Sequence, residues 1–325
     1  SGLLTKNYSY KELFEDINLM RNEISHRGPD FSDTWIDSEL GISFAHNRLS
    51  IIDLPSSGNQ PMKSKNGNLI ISFNGEIYNY IELRERLKSS YNFQTTSDTE
   101  VLLAAFIFWG KDCLKHLNGM FSFAIYDSKS KSLFAARDRF GVKPFFYHKC
   151  NDSFYFSSEI KAIHAAGIKK KPHEKIWASY FAHGSYGMPE ETFWEEIYQL
   201  PGGYYLELKN NTLSITKWYF FEEEVKKFGL RAPMVGHLGD GNFHVLLPYN
   251  PEKKETYEKI RKFSDILIEK TLELEGTITG EHGVGLHKKE YLKKEHADNL
   301  PTMKLIKRTM DPNNIMNPGK IFDLN

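Results

Sequence analysis

Residues 1–222 hold 38 of the 45 aromatic side chains, all five tryptophans and 24 serines, whereas residues 223–325 hold seven aromatics, no tryptophan and a single serine, Ser264. Large rings dominate the buried area of any core that contains them, so one core cannot run across such a change. Two units are therefore expected, divided near residue 222, with domains over 1–222 and 223–325. The length of 325 residues also exceeds the roughly 100–200 of an ordinary single domain. Charge does not change at the seam: 25 basic and 26 acidic residues precede it, and 17 and 16 follow. The join Lys217–Leu230 has no Pro/Gly/Ser-rich stretch of the kind that usually separates domains.

The net charge of zero offers no basic excess to nucleic acid or to an anionic membrane surface, so neither is an expected partner. No run of about 18 apolar residues is present to span a membrane. The opening SGLLTKNYSYKELFEDINLM lacks the unbroken apolar core of a signal peptide. Two cysteines, Cys113 and Cys150, are too few for a disulfide framework and lack metal-site spacing. A cytoplasmic protein is expected.

The first segment alternates short apolar runs with turn residues. Ile42–Ile52, Leu69–Phe73, Phe121–Asp127, Ser132–Arg137, Pro144–His148, Ser153–Ser157 and Gly203–Lys209 predict strands. Helices are predicted over Ile81–Ser89 and Asp98–Trp109, the second with Asp98 as its N-cap. In the second segment Asn242–Leu247 predicts a strand. A long amphipathic helix follows, with Ile260, Leu267 and Leu274 at heptad spacing, then helices around Lys288–His296 and Thr302–Thr309. The fold class is α+β.

Four phrases put polar groups where strands do not need them: Arg48-Leu-Ser-Ile-Ile-Asp53, Asn74-Gly-Glu-Ile-Tyr-Asn79, Ser97-Asp-Thr-Glu100 and Arg137-Asp-Arg-Phe-Gly-Val-Lys-Pro144. Alone, Asn74-Gly75 after an apolar strand is an equally good hairpin turn. Arg48 and Asp98 alone read as a structural ion pair and a cap. Together with His26-Arg-Gly-Pro-Asp30, Asn118-Gly-Met-Phe121, Phe156-Ser-Ser-Glu-Ile-Lys161 and Leu200-Pro-Gly-Gly-Tyr204, they make residues 1–222 resemble the class II glutamine amidotransferase domain of glutamine-hydrolysing asparagine synthetases. That resemblance implies a four-layer αββα sandwich of the N-terminal nucleophile hydrolase type and release of ammonia from glutamine. It implies that Arg48 holds the α-carboxylate of glutamine and Asp98 with Glu76 its α-ammonium. The Asn74 side chain and the Gly75 N–H would form the oxyanion hole, a kind of donor worth roughly 3–4 kcal/mol in the transition state.

In that family the nucleophile is an N-terminal cysteine acting with its own amine. The sequence here opens Ser1-Gly-Leu-Leu, matching the family after its first Cys-Gly-Ile, and Ser1 lies up to ~10 Å of extended chain past the nucleophile position. The sequence as it stands is expected to bind glutamine poorly and not to hydrolyse it. Neither a Ser-Gly-Gly-x-Asp-Ser loop nor a Gly-x-x-x-x-Gly-Lys-Ser/Thr loop occurs, so no ATP site is expected.

The second segment gathers His and Gly in Gly236-His-Leu-Gly-Asp-Gly-Asn-Phe-His244 and Gly280-Glu-His-Gly-Val-Gly-Leu-His287. Two imidazoles and a carboxylate suit Zn²⁺ or a related divalent ion, and a Gly-Asp-Gly turn could aim both histidines at one centre. With the ending Met310-Asp-Pro-Asn-Asn-Ile-Met-Asn-Pro-Gly-Lys-Ile-Phe322, residues 226–322 resemble the C-terminal part of FAD-linked oxidases, the group of D-lactate and D-2-hydroxyglutarate dehydrogenases and the glycolate oxidase subunit. The resemblance implies His237, His244 and Glu281 as metal ligands, His282 as general base toward a 2-hydroxy acid, and Asn317 and Lys320 beside FAD. The flavin-binding domain that precedes this part in the family has no counterpart in the sequence, so a smaller α+β fragment with long helices and no bound flavin is expected.

Three functions stand at this level: an asparagine synthetase-type glutaminase domain, a metal-dependent FAD-linked 2-hydroxyacid dehydrogenase fragment, or a non-catalytic fusion acting as a scaffold.

Overall fold

The computed structural model describes residues 1–324 except 7, 54–55, 185–188, 221–225, 227–228, 231–233, 238–241, 251, 253 and 274–275. It divides into two compact units, Ser1–Tyr219 and Phe220–Asn325.

In the first unit one antiparallel sheet has the order β10-β8-β9-β1-β3-β2, formed by Ile197–Gln199 (β10), Phe146–Cys150 (β8), Ser153–Ser157 (β9), Gly2–Thr5 (β1), Ile42–Arg48 (β3) and Phe31–Asp37 (β2). The other has the order β12-β11-β7-β6-β5-β4, from Thr212–Lys217 (β12), Tyr204–Lys209 (β11), Ser132–Arg137 (β7), Gly119–Asp127 (β6), Leu69–Ile77 (β5) and Met62–Lys63 (β4). Alternation along the strands sends one set of rings inward. Ile42, Phe44, Phe154 and Phe156 of the first sheet pack against Ile70, Ala124, Tyr126 and Leu206 of the second.

The outer faces are covered by helices. Leu13, Ile17 and Met20, one stripe of helix α1 (Tyr10–Glu23), join Ala162 and Ile163 of α4 (Ile160–Ala165) over the first sheet. Helices α2 (Tyr80–Leu87) and α3 (Asp98–Trp109) cover the second with Leu83, Leu87, Val101, Leu102 and Ala105. The layers are helix, sheet, sheet, helix, the αββα sandwich that the resemblance implies. A further helix, α5 (Glu174–His183), carries Trp177 against Phe193.

Helix α3 spans the predicted residues, and β7 and β9 coincide with the predicted runs. One expectation is overturned and one open alternative is decided. Strand β3 ends at Arg48, short of Ile52, because Leu49 and Ile51 are exposed and have no strand partner to bury them. Asn74-Gly75 forms no hairpin: β5 runs through it to Ile77, with Asn74 opposite Ser122 and Gly75 opposite Phe121. Helix α1 was not predicted, although its Ser9 and Glu12 form a reciprocal capping box whose S-x-x-E spacing is visible in the sequence.

In the second unit β13 (Met234–His237) pairs with β14 (Asn242–Val245), two residues shorter than the predicted strand to Leu247. Helix α6 (Lys254–Glu273) places Ile260, Phe263 and Leu267 against Leu230, Val245 and Leu247; Leu274 lies outside the described residues. Helices α7 (Lys289–Glu295) and α8 (Leu300–Met310) follow, and no residue of α8 is buried.

Because every tryptophan lies in the first unit, tryptophan fluorescence reports the unfolding of that unit alone. Phe44 is fully buried and meets Trp35 and Phe156 edge-on, so Phe44→Ala should cost ~3–5 kcal/mol in urea titrations read by fluorescence. Phe181→Ala, at a ring 78% exposed, should stay within about 0.5 kcal/mol of wild type.

Candidate functional site

The site is laid out along the end of β5. At Gly75 the backbone takes φ +151°, and a β-carbon there would lie 2.1 Å from the Met120 carbonyl oxygen and 2.7 Å from the Phe121 Cα. Only glycine allows β5 and β6 to approach this closely, so the sequence at this point is dictated by the pairing of two strands. The Asn74 side chain then enters a cavity of about 80 Å³ that is also lined by His46, Asn47, Ser122, Ser157 and Ser158. Its amide nitrogen donates to the Ser158 hydroxyl at 3.4 Å.

Two residues past Gly75, the Ile77 N–H donates to the Asp98 carboxylate at 3.0 Å. Asp98 was expected to cap α3, but Ser97 does so, its hydroxyl accepting the Thr99 N–H. Displaced to the first helical position, Asp98 is free to turn its carboxylate onto β5 beside Glu76. Asp98 is 5% exposed. Burial pushes its carboxyl up to about 6; the Ile77 and Thr99 N–H groups oppose the rise and Glu76 adds to it.

Arg48, at the end of β3, is also buried. Its guanidinium donates to the Asn59 side-chain oxygen at 2.7 Å, to the Ile52 carbonyl at 3.3 Å and to the Asp53 carbonyl. Two residues earlier on the same strand, His46 lines the cavity. Burial, reinforced by the Ser1 amino terminus and Arg48, holds its imidazole down to about 3, so it is neutral. His46 was missed from the sequence, where one histidine in an apolar strand gives no signal. Ser1 lines the cavity at the start of β1, its nitrogen donating to the Ala45 carbonyl at 3.0 Å.

Two further phrases singled out in the sequence meet at the cavity rim. Glu159 accepts from His26 at 2.8 Å and Arg27 at 3.1 Å and pairs with Lys161 at 3.2 Å, fixing the turn that carries Arg27. In the fourth phrase Asp138, 1% exposed, accepts the N–H groups of Phe121, Phe140, Val142 and Lys143 at 2.9–3.2 Å. Arg137 donates to the carbonyls of Lys143 and Leu200. Arg137-Asp138 is thus a loop staple that holds β6 in its register with Gly75. Neither cysteine lines the cavity: Cys113 is buried beside α3, its thiol pushed up to about 12 by burial, and Cys150 ends β8 on the surface.

Residues 1–219 match the glutamine amidotransferase domain profile. The chain belongs to the glutamine amidotransferase family. Asparagine synthetase [glutamine-hydrolyzing] 3 of Bacillus subtilis is 40% identical over 214 residues, 65% of this chain and 34% of that protein. Asparagine synthetase [glutamine-hydrolyzing] 1 of the same organism is 44% identical over 164 residues, 50% of this chain and 25% of that protein. The chain spans a fifth to under half the length of the curated relatives it matches. Among solved structures, glutamine phosphoribosylpyrophosphate amidotransferase from B. subtilis is 17% identical, with a TM-score of 0.49 over 67% of this chain and 49% of that one. Residues 216–321 match the C-terminal domain of FAD linked oxidases.

In that second segment the structure brings together His244, Glu281 and His282, one ligand atom of each lying within 4.8 Å of the others. The His244 Nε2 sits 2.9 Å from a Glu281 carboxylate oxygen and its ring 4.9 Å from that of His282. His237 is opposite Asn242 in the β13–β14 ladder. Its side chain, like the Gly239-Asp240-Gly241 turn, lies outside the described residues. Asn317 and Lys320 stand exposed on one turn, the Lys320 N–H donating to the Asn317 carbonyl. Two exposed side chains on a turn do not make a flavin cradle. No described helix is long and apolar enough to cross a membrane.

Asp98 makes the first unit of this amidotransferase chain sensitive to pH. Between the ordinary 3.8 and about 6 the folded chain keeps a proton that the unfolded chain releases. Stability therefore falls as pH rises through that window, by roughly 3 kcal/mol in all. Asp98→Asn removes the loss: it should be more stable than wild type at pH 7.5 and lose that advantage at pH 4, by urea midpoints from tryptophan fluorescence.

Proposed function

We propose that residues 1–222 form the glutamine-binding part of an amidotransferase domain, holding the side-chain amide in place for the ammonia-releasing attack for which the family uses a cysteine that neither Cys113 nor Cys150 supplies, and that residues 223–325 form a separate domain. The observation that carries this reading is the arrangement about β5. Arg48 is a buried cation and Asp98 a buried carboxylate, charges complementary to the carboxylate and ammonium of an amino acid. Glu76 adds a second carboxylate for the ammonium. Holding both ends orients the side-chain amide toward Asn74. The Asn74 amide and the Gly75 N–H then donate to the oxygen that becomes negative when the amide carbon is attacked. His46, neutral in the same cavity, can hydrogen-bond the bound amide, while a pKa held down to about 3 keeps it from acting as a base at neutral pH. A cytoplasmic setting fits two unpaired cysteines. Synthesis of asparagine by a protein containing this domain is the reading its relatives suggest.

L-Glutamine should raise the midpoint of the first unit's thermal transition, followed by tryptophan fluorescence, and L-glutamate should do so less. Arg48→Ala should abolish the shift, a loss of at least roughly 100-fold in affinity, since a charged end is left without its partner. An unchanged midpoint at saturating glutamine in the wild type would falsify the reading.

A second reading applies to residues 223–325 and rests on one observation, the grouping of His244, Glu281 and His282. Two imidazoles and a carboxylate are a donor set for Zn²⁺ or a related divalent ion. When bound, such an ion would polarise the hydroxyl and carboxylate oxygens of a 2-hydroxy acid. His282, next to it, is placed either as a ligand or as the group that takes the hydroxyl proton. FAD is the acceptor that the family match suggests, but the exposed Asn317–Lys320 turn gives it no walls. Chelator-treated protein should take up about one equivalent of Zn²⁺ in calorimetric titration. Glu281→Ala should weaken that uptake by at least tenfold, whereas Asn317→Ala should leave it unchanged.

A further inference from the structure

Arg48 and Asp98 lie on different elements, yet an amino acid must meet both. We propose that Asp53 and Gln60 are positioning residues that set the spacing between these two charges. This inference rests on the glutamine-binding reading above. The main chain at Asp53 takes φ +56°, the left-handed region that L-residues avoid and that Asp and Asn tolerate best. Such a conformation persists where surrounding contacts hold it. In it, the Asp53 carbonyl accepts the Arg48 guanidinium while the Asp53 carboxylate accepts the Thr96 hydroxyl at 2.8 Å. Thr96 is two residues before Asp98.

A second tie lies on the other side of Asp98. The Gln60 amide donates to the Thr99 hydroxyl at 3.2 Å, and its oxygen accepts the Phe73 N–H of β5 at 2.7 Å, with Gln60 itself 7% exposed. Next to it Asn59 accepts Arg48. So the residues that grip Arg48, Asp53 and Asn59, are each joined directly or through the next residue to a hydroxyl flanking Asp98. Gly58 shows how closely this wraps: a β-carbon there would sit 2.6 Å from an Arg48 terminal nitrogen and 3.1 Å from the Asp53 carbonyl oxygen. The two clamps therefore form one unit whose span is fixed by hydrogen bonds rather than by the sheet alone. The span, more than either charge, selects an α-amino acid over a ligand with only one charged end.

Thr96→Val removes the hydroxyl at equal volume and touches neither clamp. It is measured beside wild type and Asp53→Asn, which keeps an acceptor and the tolerance for positive φ. The probes are L-glutamine, which has both charged ends, glutaramate, which lacks the ammonium, and 4-aminobutanamide, which lacks the carboxylate. Thr96→Val should weaken glutamine by roughly tenfold, the effect of losing an outer partner that orients a binding group. The one-ended ligands should change by less than about twofold, and Asp53→Asn should bind glutamine within about threefold of wild type. Amide exchange of residues 56–60 in the ligand-free chain should quicken in Thr96→Val. Equal weakening of all three ligands, or unchanged glutamine binding with unchanged exchange, overturns the coupling while leaving the glutamine reading intact. A wild type that binds no glutamine overturns both, and is distinguished because it precedes any substitution.

Discussion

A side chain at position 75 would collide with the Met120 carbonyl, and much of the first unit is arranged around that close approach. β5 and β6 pair through it without a turn, so Asn74, Gly75 and Glu76 leave the sheet in fixed directions. The register is held from the far side by Asp138, whose carboxylate takes up the Phe121 N–H together with three N–H groups of the following loop. A carboxylate satisfied by several backbone donors is stable in a dry interior, where one without partners is not. At Asp98 burial and the neighbouring Glu76 outweigh the backbone donors. Asp98 is buried with backbone donors and an acidic neighbour but no cation beside it among the groups that set its titration, and its carboxyl rises accordingly. The contrast marks Asp98 as a candidate binding group.

The same distinction applies to the arginines. Arg137 donates to loop carbonyls and closes the turn that begins at Asp138. Arg48 also donates to carbonyls, but it does so beside a cavity containing His46 and Asn74, at the end of a strand where the sheet gives out. Burial alone does not tell them apart; position relative to β5 does.

The second unit is built differently. Its core joins Leu230 and Phe263 to partly buried Val245, Leu247, Ile260 and Leu267. With few rings, it covers little of α8, whose Leu305, Ile306 and Met310 are exposed. Its chemistry is concentrated in His244, Glu281 and His282, which 36 residues of helix and turn separate in the chain. That grouping depends on β14 and the turn at 281–282 meeting, which spacing alone does not predict.

Much was legible in the order of residues. The seam in aromatic content, the extent of α3 and of strands such as Ser132–Arg137, and the candidate residues Arg48, Asn74, Gly75, Glu76 and Asp98 all come from it, because periodicity and family phrases are local in the chain. The cap at Asp98, and the hairpin that Asn74-Gly75 alone equally suits, fail for one reason. Local propensity scores a residue by its neighbours in sequence, and here the deciding partners, Met120 and Phe121 for Gly75 and Ile77 for Asp98, are more than twenty residues away. His46 in the cavity, and the ties from Asp53 to Thr96 and from Gln60 to Thr99, had no sequence signal at all. The sequence determined which groups could bind and react; the tertiary structure decided which of them face one another, since burial and the distance between charges exist only once remote segments have packed.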